Sequence, residues 1–171
     1  MIQTDRLVLR PAVDADRKAI AVMNAGAWLG GVRDRAASDA FVDRVQAHEF
    51  EHGFGFWVVE RQGDARVIGM TGVWWVPAEM AMPDMVEIGW RFHPEVWGQG
   101  YATEAARAAL AYGFTRLKLP EIIAFTARTN LASQSVMRRI GMVHDPARDF
   151  DHPGLAEDHP LRAHVVFVAR G

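Results

Sequence analysis

An α/β fold is the class this sequence predicts, and three observations carry it. "MVEIGWRF" alternates at the two-residue period of a strand, with Val86, Ile88, Trp90 and Phe92 on one face and Glu87, Gly89 and Arg91 on the other. "HPEVWGQGYATEAARAAL" follows at once and passes through two glycines into an alanine-rich run with helical spacing. A second strand, "EIIAFTA", and a shorter helical run come next. Strand, glycine loop, helix, strand, helix implies a unit whose central strands can run parallel.

The elements can be justified in chain order. "RLVLRP" alternates Leu7 and Leu9 with polar neighbours and ends at a proline, the pattern of an edge strand. Asp14 or Asp16 offers an N-cap for a helix through Ala19, Ile20 and Met23. Ser38 can cap a second helix with Phe41, Val42 and Val45 on one face and Gly53 just past its end. "FWVVERQGDARVIGMTGVWWV" reads as a hairpin turning about Gly63-Asp64. The helix after the glycine loop begins near Ala102 or Thr103, because Ala106, Leu110, Gly113 or Phe114, and Leu117 fall at helical spacing. In "RTNLASQSVMRRIGM", Asn130 and Ser133 are capping residues, Val136, Met137 and Ile140 point inward, and Gly141 stops the helix. "LRAHVVFVAR" is a final strand; at a sheet edge it can pair across a homodimer.

Composition bounds the function. With 171 residues, 50% of them hydrophobic, and no repeat, low-complexity block or linker, residues 1–171 read as one domain. The chain has no Cys, which removes disulfides, thiolate metal sites and a cysteine nucleophile, and fits a cytoplasmic setting. Charges in "MIQTDRLVLRP" argue against a signal peptide, and no later run is long enough to span a bilayer, so no membrane partner is expected. A net charge of -2 without a Lys/Arg run gives nucleic acid little electrostatic support.

Two readings of "WGQGYA" are open: a plain strand-to-helix turn, or a loop whose glycines let an anion approach the free N–H groups of a helix N-terminus. Nucleotide motifs do not fit. Gly100 is followed by Tyr101-Ala102 rather than the Lys-Ser/Thr of a P-loop, and Thr103 stands where a dinucleotide fingerprint needs its third glycine.

The combination of "RLVLRP", "VEIGWRFHPEVWGQGYATEA" and "NLASQSVMRRIGM" resembles the GNAT superfamily of acetyl-CoA-dependent N-acetyltransferases, in particular its RimJ/RimL-type branch. The resemblance implies a mixed, largely antiparallel central sheet with a splayed parallel strand pair and helices on both faces. It implies acetyl transfer to a primary amine, on a small molecule or a peptide N-terminus. By the same resemblance, backbone amides of Gln99, Gly100, Tyr101, Ala102 and Thr103 bind the CoA pyrophosphate, and pantetheine inserts beside the strand Val86 to Phe92. Asn130 hydrogen-bonds the cofactor arm, with Ser133 on the helix that packs near the thioester.

The chemistry then assigns roles. A backbone N–H near Ile88 or Gly89 can stabilise the oxyanion that forms when an amine attacks the thioester, and Gly89 would let the arm lie close. Free amines are mostly protonated, with pKa values of about 8 to 10.4, so a base is useful. Glu87 shares a strand face with Gly89 and is the first candidate; the alternative is a solvent-facing carboxylate or an ion pair with Arg91. Glu79, Asp84 and the acidic segment "ARDFDHPGLAEDHP" are lesser candidates, and that segment hints at a cationic acceptor such as a polyamine, aminoglycoside or basic peptide. Many relatives place a Tyr as general acid seven residues after the Asn; this chain has Met137 there, leaving Ser133 or Ser135. Trp97 stands where relatives often carry Arg or Gln. Trp74, Trp75 and Trp90 bound an apolar pocket or fill the core. His144, His152 and His159 match no metal-ligand spacing, so no metal is expected. A rival function is a CoA-binding, catalytically weak sensor on the same fold.

Overall fold

In the computed structural model, which describes residues 1–26 and 34–171, the alternating segments form strands and the 3.6-residue patterns form helices. In chain order the elements are β1 (Ile2–Gln3), β2 (Leu7–Arg10), α1 (Arg17–Asn24), α2 (Arg35–His52), β3 (Phe56–Arg61), β4 (Arg66–Trp75), β5 (Val86–Phe92), α3 (Tyr101–Thr115), β6 (Glu121–Ala127), α4 (Leu131–Arg139), β7 (Val143–His144), β8 (Phe150–Asp151) and β9 (Ala163–Arg170). The strand order is β1-β2-β3-β4-β5-β6-β9-β7, with β8 also paired to β9. The pairings β1–β2, β2–β3, β3–β4, β6–β9, β7–β9 and β8–β9 are antiparallel. β5 and β6 run parallel, with Glu87 opposite Ile123, as a connection through α3 requires. The fold is thus mixed α/β, with a mostly antiparallel nine-stranded sheet and one parallel pair.

The chain forms two compact units, Met1–Gly72 with Gly89–Ala108, and Val73–Ile88 with Ala109–Gly171. In the first, Leu7, Leu9, Val58, Val59 and Ile68 are fully buried strand residues, and Ile20, Met23, Val42 and Val45 are the buried faces of α1 and α2. Gly63 (φ 96°) and Ala65 (φ 52°) turn the β3–β4 hairpin, and Arg61 donates to Asp64 across it. Asp16 does not cap α1 with its side chain; it lies in a short 3-10 turn, accepting from Arg10 at 2.8 and 2.9 Å and from the Val13 amide at 2.9 Å.

Ser38 corrects the expectation for α2. The helix starts earlier, capped by Asp34, which accepts from the Ala37 amide at 2.7 Å, and Ser38 is buried inside it, accepting from Asn24 at 3.0 Å. A buried hydroxyl needs a partner, and only the packing of α1 against α2 supplies Asn24. Gly53 ends α2 in the left-handed region at φ 75°, as its position predicts.

In the second unit β6 and β9 pair over seven residues, from Glu121 opposite Arg170 to Ala127 opposite His164. On one face Val76, Ile123, Val166 and Val168 form a buried cluster with Met80, Met82, Met85, Phe125 and Phe150 against it. On the other, Gly113 of α3 lies so close to Ile122 that an added Cβ would fall 2.4 Å from its Cδ1. β9 is not the expected edge: β6 lies on one side and the short strands β7 and β8 on the other. Among the described residues no helix is long and apolar enough to cross a membrane.

Candidate functional site

β5 leaves the sheet through a 3-10 turn, Pro94–Val96, and the glycine loop follows. Trp97 donates its indole N–H to the Phe92 carbonyl at 3.0 Å, and Gln99 donates to the Glu95 carbonyl at 3.1 Å. Gly98 (φ 75°) and Gly100 (φ 82°) are both left-handed, so glycine is demanded here by the backbone itself. α3 starts at Tyr101, one residue before the earlier of the two expected starts. Its first intrahelical bond runs from the Glu104 amide to the Gly100 carbonyl at 3.0 Å. The amides of Tyr101, Ala102 and Thr103 therefore lie in the turn where a helix has no partner for its donors and carries its positive end.

A residue that the sequence reading missed holds this loop. Arg6 donates to the Gln99 carbonyl at 3.0 Å, forms an ion pair with Glu104 at 2.6 Å, and lies over the Tyr101 ring at 4.4 Å from its centroid. Glu104 also accepts from the Arg6 amide at 3.0 Å and the Thr4 hydroxyl at 2.6 Å. Burial pushes the Glu104 carboxyl up, but the bonds from Thr4 and Arg6 outweigh it and leave the group below its ordinary value. Arg6 joins positions more than ninety residues apart in sequence, a contact that no local pattern reveals. Its one signal was its place in "RLVLRP".

On β5, Glu87 is half-buried, and burial pushes its carboxyl from 4.5 up to about 8. The cause is visible in the register. Glu87 lies opposite Ile123 and so on the face of the sheet where Ile123 packs with Val76, Val166 and Val168. Arg91, the alternative partner for Glu87, donates to Asn24 at 2.7 Å. Ile88 is 2% exposed, which leaves its backbone as the part able to serve a ligand. An added Cβ at Gly89 would fall 2.8 Å from the Phe56 ring and push it aside; the close approach on that side is made by Phe56. The Gly89 carbonyl accepts from the Thr71 hydroxyl at 2.9 Å.

Asn130 and Ser133 meet at the start of α4. Asn130 is the N-cap, its carbonyl oxygen accepting from the Ser133 amide at 3.2 Å, so Ser133 is the capped residue and not a second cap. The Asn130 amide nitrogen donates to Thr126 Oγ1 at 2.8 Å and to Ser133 Oγ at 2.9 Å. Since Ser133 Oγ accepts that bond, its own proton is left to donate elsewhere. Met137 is 2% exposed and packs inward with Ile140; Gln134 is buried where Val136 was expected.

Within the acidic segment, Asp149 and Asp151 are engaged with their own unit, while Glu157 and Asp158 are exposed. Asp149 accepts from the Val166 amide at 3.0 Å and lies 3.0 Å from His144 and 3.6 Å from Arg128, while Asp151 pairs with Arg162 at 3.3 Å. His152 packs its ring against His164, centroids 5.0 Å apart, and His159 accepts from the Leu161 amide at 3.1 Å. Among the described residues there is no group of three or more His, Asp or Glu set to hold a metal ion. The predicted residues thus fall into two groups, each in its own unit: Gly89 with Gln99 to Thr103, and Glu87 and Ile88 with Asn130 and Ser133.

Residues 6–143 match the family described as the acetyltransferase (GNAT) domain. The chain is 31% identical over 144 residues to the uncharacterized protein YkkB of Bacillus subtilis (strain 168), covering 81% of this chain and 83% of that protein. It is 39% identical over 100 residues to the FsC-acetyl coenzyme A-N(2)-transacetylase of Aspergillus fumigatus, covering 54% of this chain and 40% of that protein. The solved acetyltransferase from Agrobacterium tumefaciens str. C58 matches 99% of this chain and 94% of its own with a TM-score of 0.81 at 26% identity.

Proposed function

The chain belongs to the GNAT family of acetyltransferases, and we propose that it moves acetyl from acetyl-CoA to a primary amine, on a small molecule or a peptide N-terminus, by direct attack in a ternary complex. The observation that carries the reading is the start of α3. Two left-handed glycines turn the loop and Arg6 fixes Gln99 and Tyr101, which supports binding of a pyrophosphate by the amides from Gln99 to Thr103. The A. fumigatus relative, whose name includes acetyl coenzyme A, supports the same co-substrate. The opening "RLVLRP" favours the RimJ/RimL-type branch.

Acetyl-CoA supplies an acyl carbon with a thiolate leaving group. The amine nitrogen attacks that carbon, the C–S bond breaks, and one proton leaves the amine. Glu87 accepts it: a carboxylate raised to about 8 is a stronger base than an ordinary one and comes close to the amine it must deprotonate. A backbone N–H near Ile88 or Gly89 stabilises the oxyanion, and Asn130 orients Ser133. Ser133, its oxygen already engaged by Asn130, donates a hydrogen bond to the leaving sulfur, which departs as the thiolate and takes its proton from solvent; a thiol of pKa about 8.5 leaves readily enough that this help is modest.

Release of CoA thiol from acetyl-CoA in the presence of an amine tests the reading, with wild type and Glu87→Gln compared across pH. For two amines of different pKa, the rising limb of kcat/KM should keep one component near pH 8 that Glu87→Gln removes. A limb that moves wholly with the amine and survives in Glu87→Gln rules out Glu87 as base. The buried Met137, standing where relatives carry Tyr, favours a second reading, a CoA-binding protein with weak or no catalysis. Stabilisation by CoA with no thiol release from any amine selects it.

A further inference from the structure

The unit Val73–Ile88 with Ala109–Gly171 contains a cavity of about 390 Å³ lined by Ala81, Met82, Met85 and Arg148. That volume lies in the range of small-molecule sites, roughly 300 to 1,000 Å³. Its apolar wall is continuous with the cluster in which Met82 and Met85 pack with Val76, Ile123, Phe125 and Phe150. Thioether side chains are polarizable and adapt to the shape of an aromatic or alkyl group. Arg148, the charged residue of this lining, is neutralised by Glu121 at 2.5 Å and Asp145 at 3.2 Å, so it repels a bound ammonium little.

Glu87 connects the cavity to the chemistry. Val76 donates to the Met85 carbonyl at 2.9 Å, which extends the β4–β5 pairing, so Met85 and Glu87 fall on one face about 7 Å apart along the strand. A cation placed there meets a carboxylate in an apolar surround. Polyamines need further carboxylates along their length, and Asp149 and Asp151 are already engaged with the Val166 amide, Arg128, His144 and Arg162. Glu79 and Asp84 on the loop before β5, and Glu157 and Asp158 in the acidic segment, are exposed to solvent rather than gathered at the cavity.

We propose that this cavity is the acceptor subsite and that it takes the apolar body of a primary monoamine, an arylalkyl- or alkylamine, with its nitrogen directed to Glu87. The inference rests on the acetyl-transfer reading above. Two measurements on the full chain test it. Thiol release with phenethylamine, hexylamine, putrescine and spermidine should give a KM at least about tenfold lower for the two monoamines, and Met82→Gln should raise the phenethylamine KM about tenfold while leaving that of acetyl-CoA unchanged. In wild type labelled with methyl-¹³C methionine, phenethylamine but not spermidine should shift the Met82 and Met85 methyl signals.

The outcomes separate the two claims. Thiol release that favours spermidine, or methyl signals that stay fixed under phenethylamine, overturns the subsite and leaves acetyl transfer standing. Shifted Met82 and Met85 signals with no thiol release from any amine support the subsite and overturn acetyl transfer. The spectra of wild type decide the matter even if Met82→Gln folds poorly.

Discussion

Replacing Glu87 by Gln removes a charge and almost nothing else, because the two side chains are nearly isosteric. Burial raises the Glu87 carboxyl from 4.5 to about 8. The folded chain therefore holds this proton more tightly than the unfolded chain does. Below about pH 4.5 both states are protonated and the group leaves stability unchanged. As pH rises, the unfolded chain releases the proton first, so the native state binds more protons and stability falls until the folded group ionises near 8. At about 1.4 kcal/mol for each pH decade, that span sets a ceiling of about 5 kcal/mol. Water entering around an ionised carboxylate reduces the loss to roughly 2 to 5 kcal/mol.

Glu87→Gln should accordingly match wild type in urea denaturation near pH 4.5 and exceed it by roughly 2 to 5 kcal/mol near pH 9, with the gap opening between those values. In thermal melts at pH 9 the same difference is a gain of roughly 5 to 15 °C for a chain of this size. A constant gap at all pH values, or a wild type that gains on Glu87→Gln as pH rises, would refute the burial of this carboxyl.

Other substitutions have equally definite outcomes. Gly100→Ala forces an L-residue to φ 82° and sets its Cβ 3.4 Å from Arg6, so urea melts should show a loss of roughly 1 to 2 kcal/mol, with weaker acetyl-CoA binding by calorimetry. Arg6→Ala, whose ion pair with Glu104 is partly exposed, should change stability by no more than about 1 kcal/mol yet raise the acetyl-CoA KM about tenfold at nearly constant kcat, since it frees the loop carbonyl of Gln99. Asn130→Ala should lose about 1 kcal/mol of helix capping. Asn130→Asp keeps the acceptor for the Ser133 amide but loses the donor to Ser133 Oγ, so it should retain most of the stability while kcat falls several-fold, on the order of one lost hydrogen bond. Equal kcat in wild type and Asn130→Asp removes Ser133 orientation from the mechanism.

What could be read in advance was local. The β6 strand, the α4 cap at Asn130, the stops at Gly53 and Gly141 and the alternation of β5 are each set by a few consecutive residues, through side-chain period, capping and the left-handed freedom of glycine. The glycine loop was legible as an exception to helix propensity, and the angles at Gly98 and Gly100 show that turning demands glycine at both.

What could not be read depends on residues distant in sequence. Ser38 reads as a cap until Asn24 is beside it, and β9 reads as an edge until β7 and β8 fold back upon it. The close approach at Gly89 is invisible without Phe56, and Arg6 stays anonymous until Gln99, Tyr101 and Glu104 close around it.

Glu87 shows the division most clearly. Alternation placed it on a strand face with Gly89, and the need to deprotonate an amine made it the candidate base, both from the sequence by itself. Its proton affinity came from tertiary structure alone, because desolvation depends on which apolar side chains the register of β5 and β6 gathers on that face.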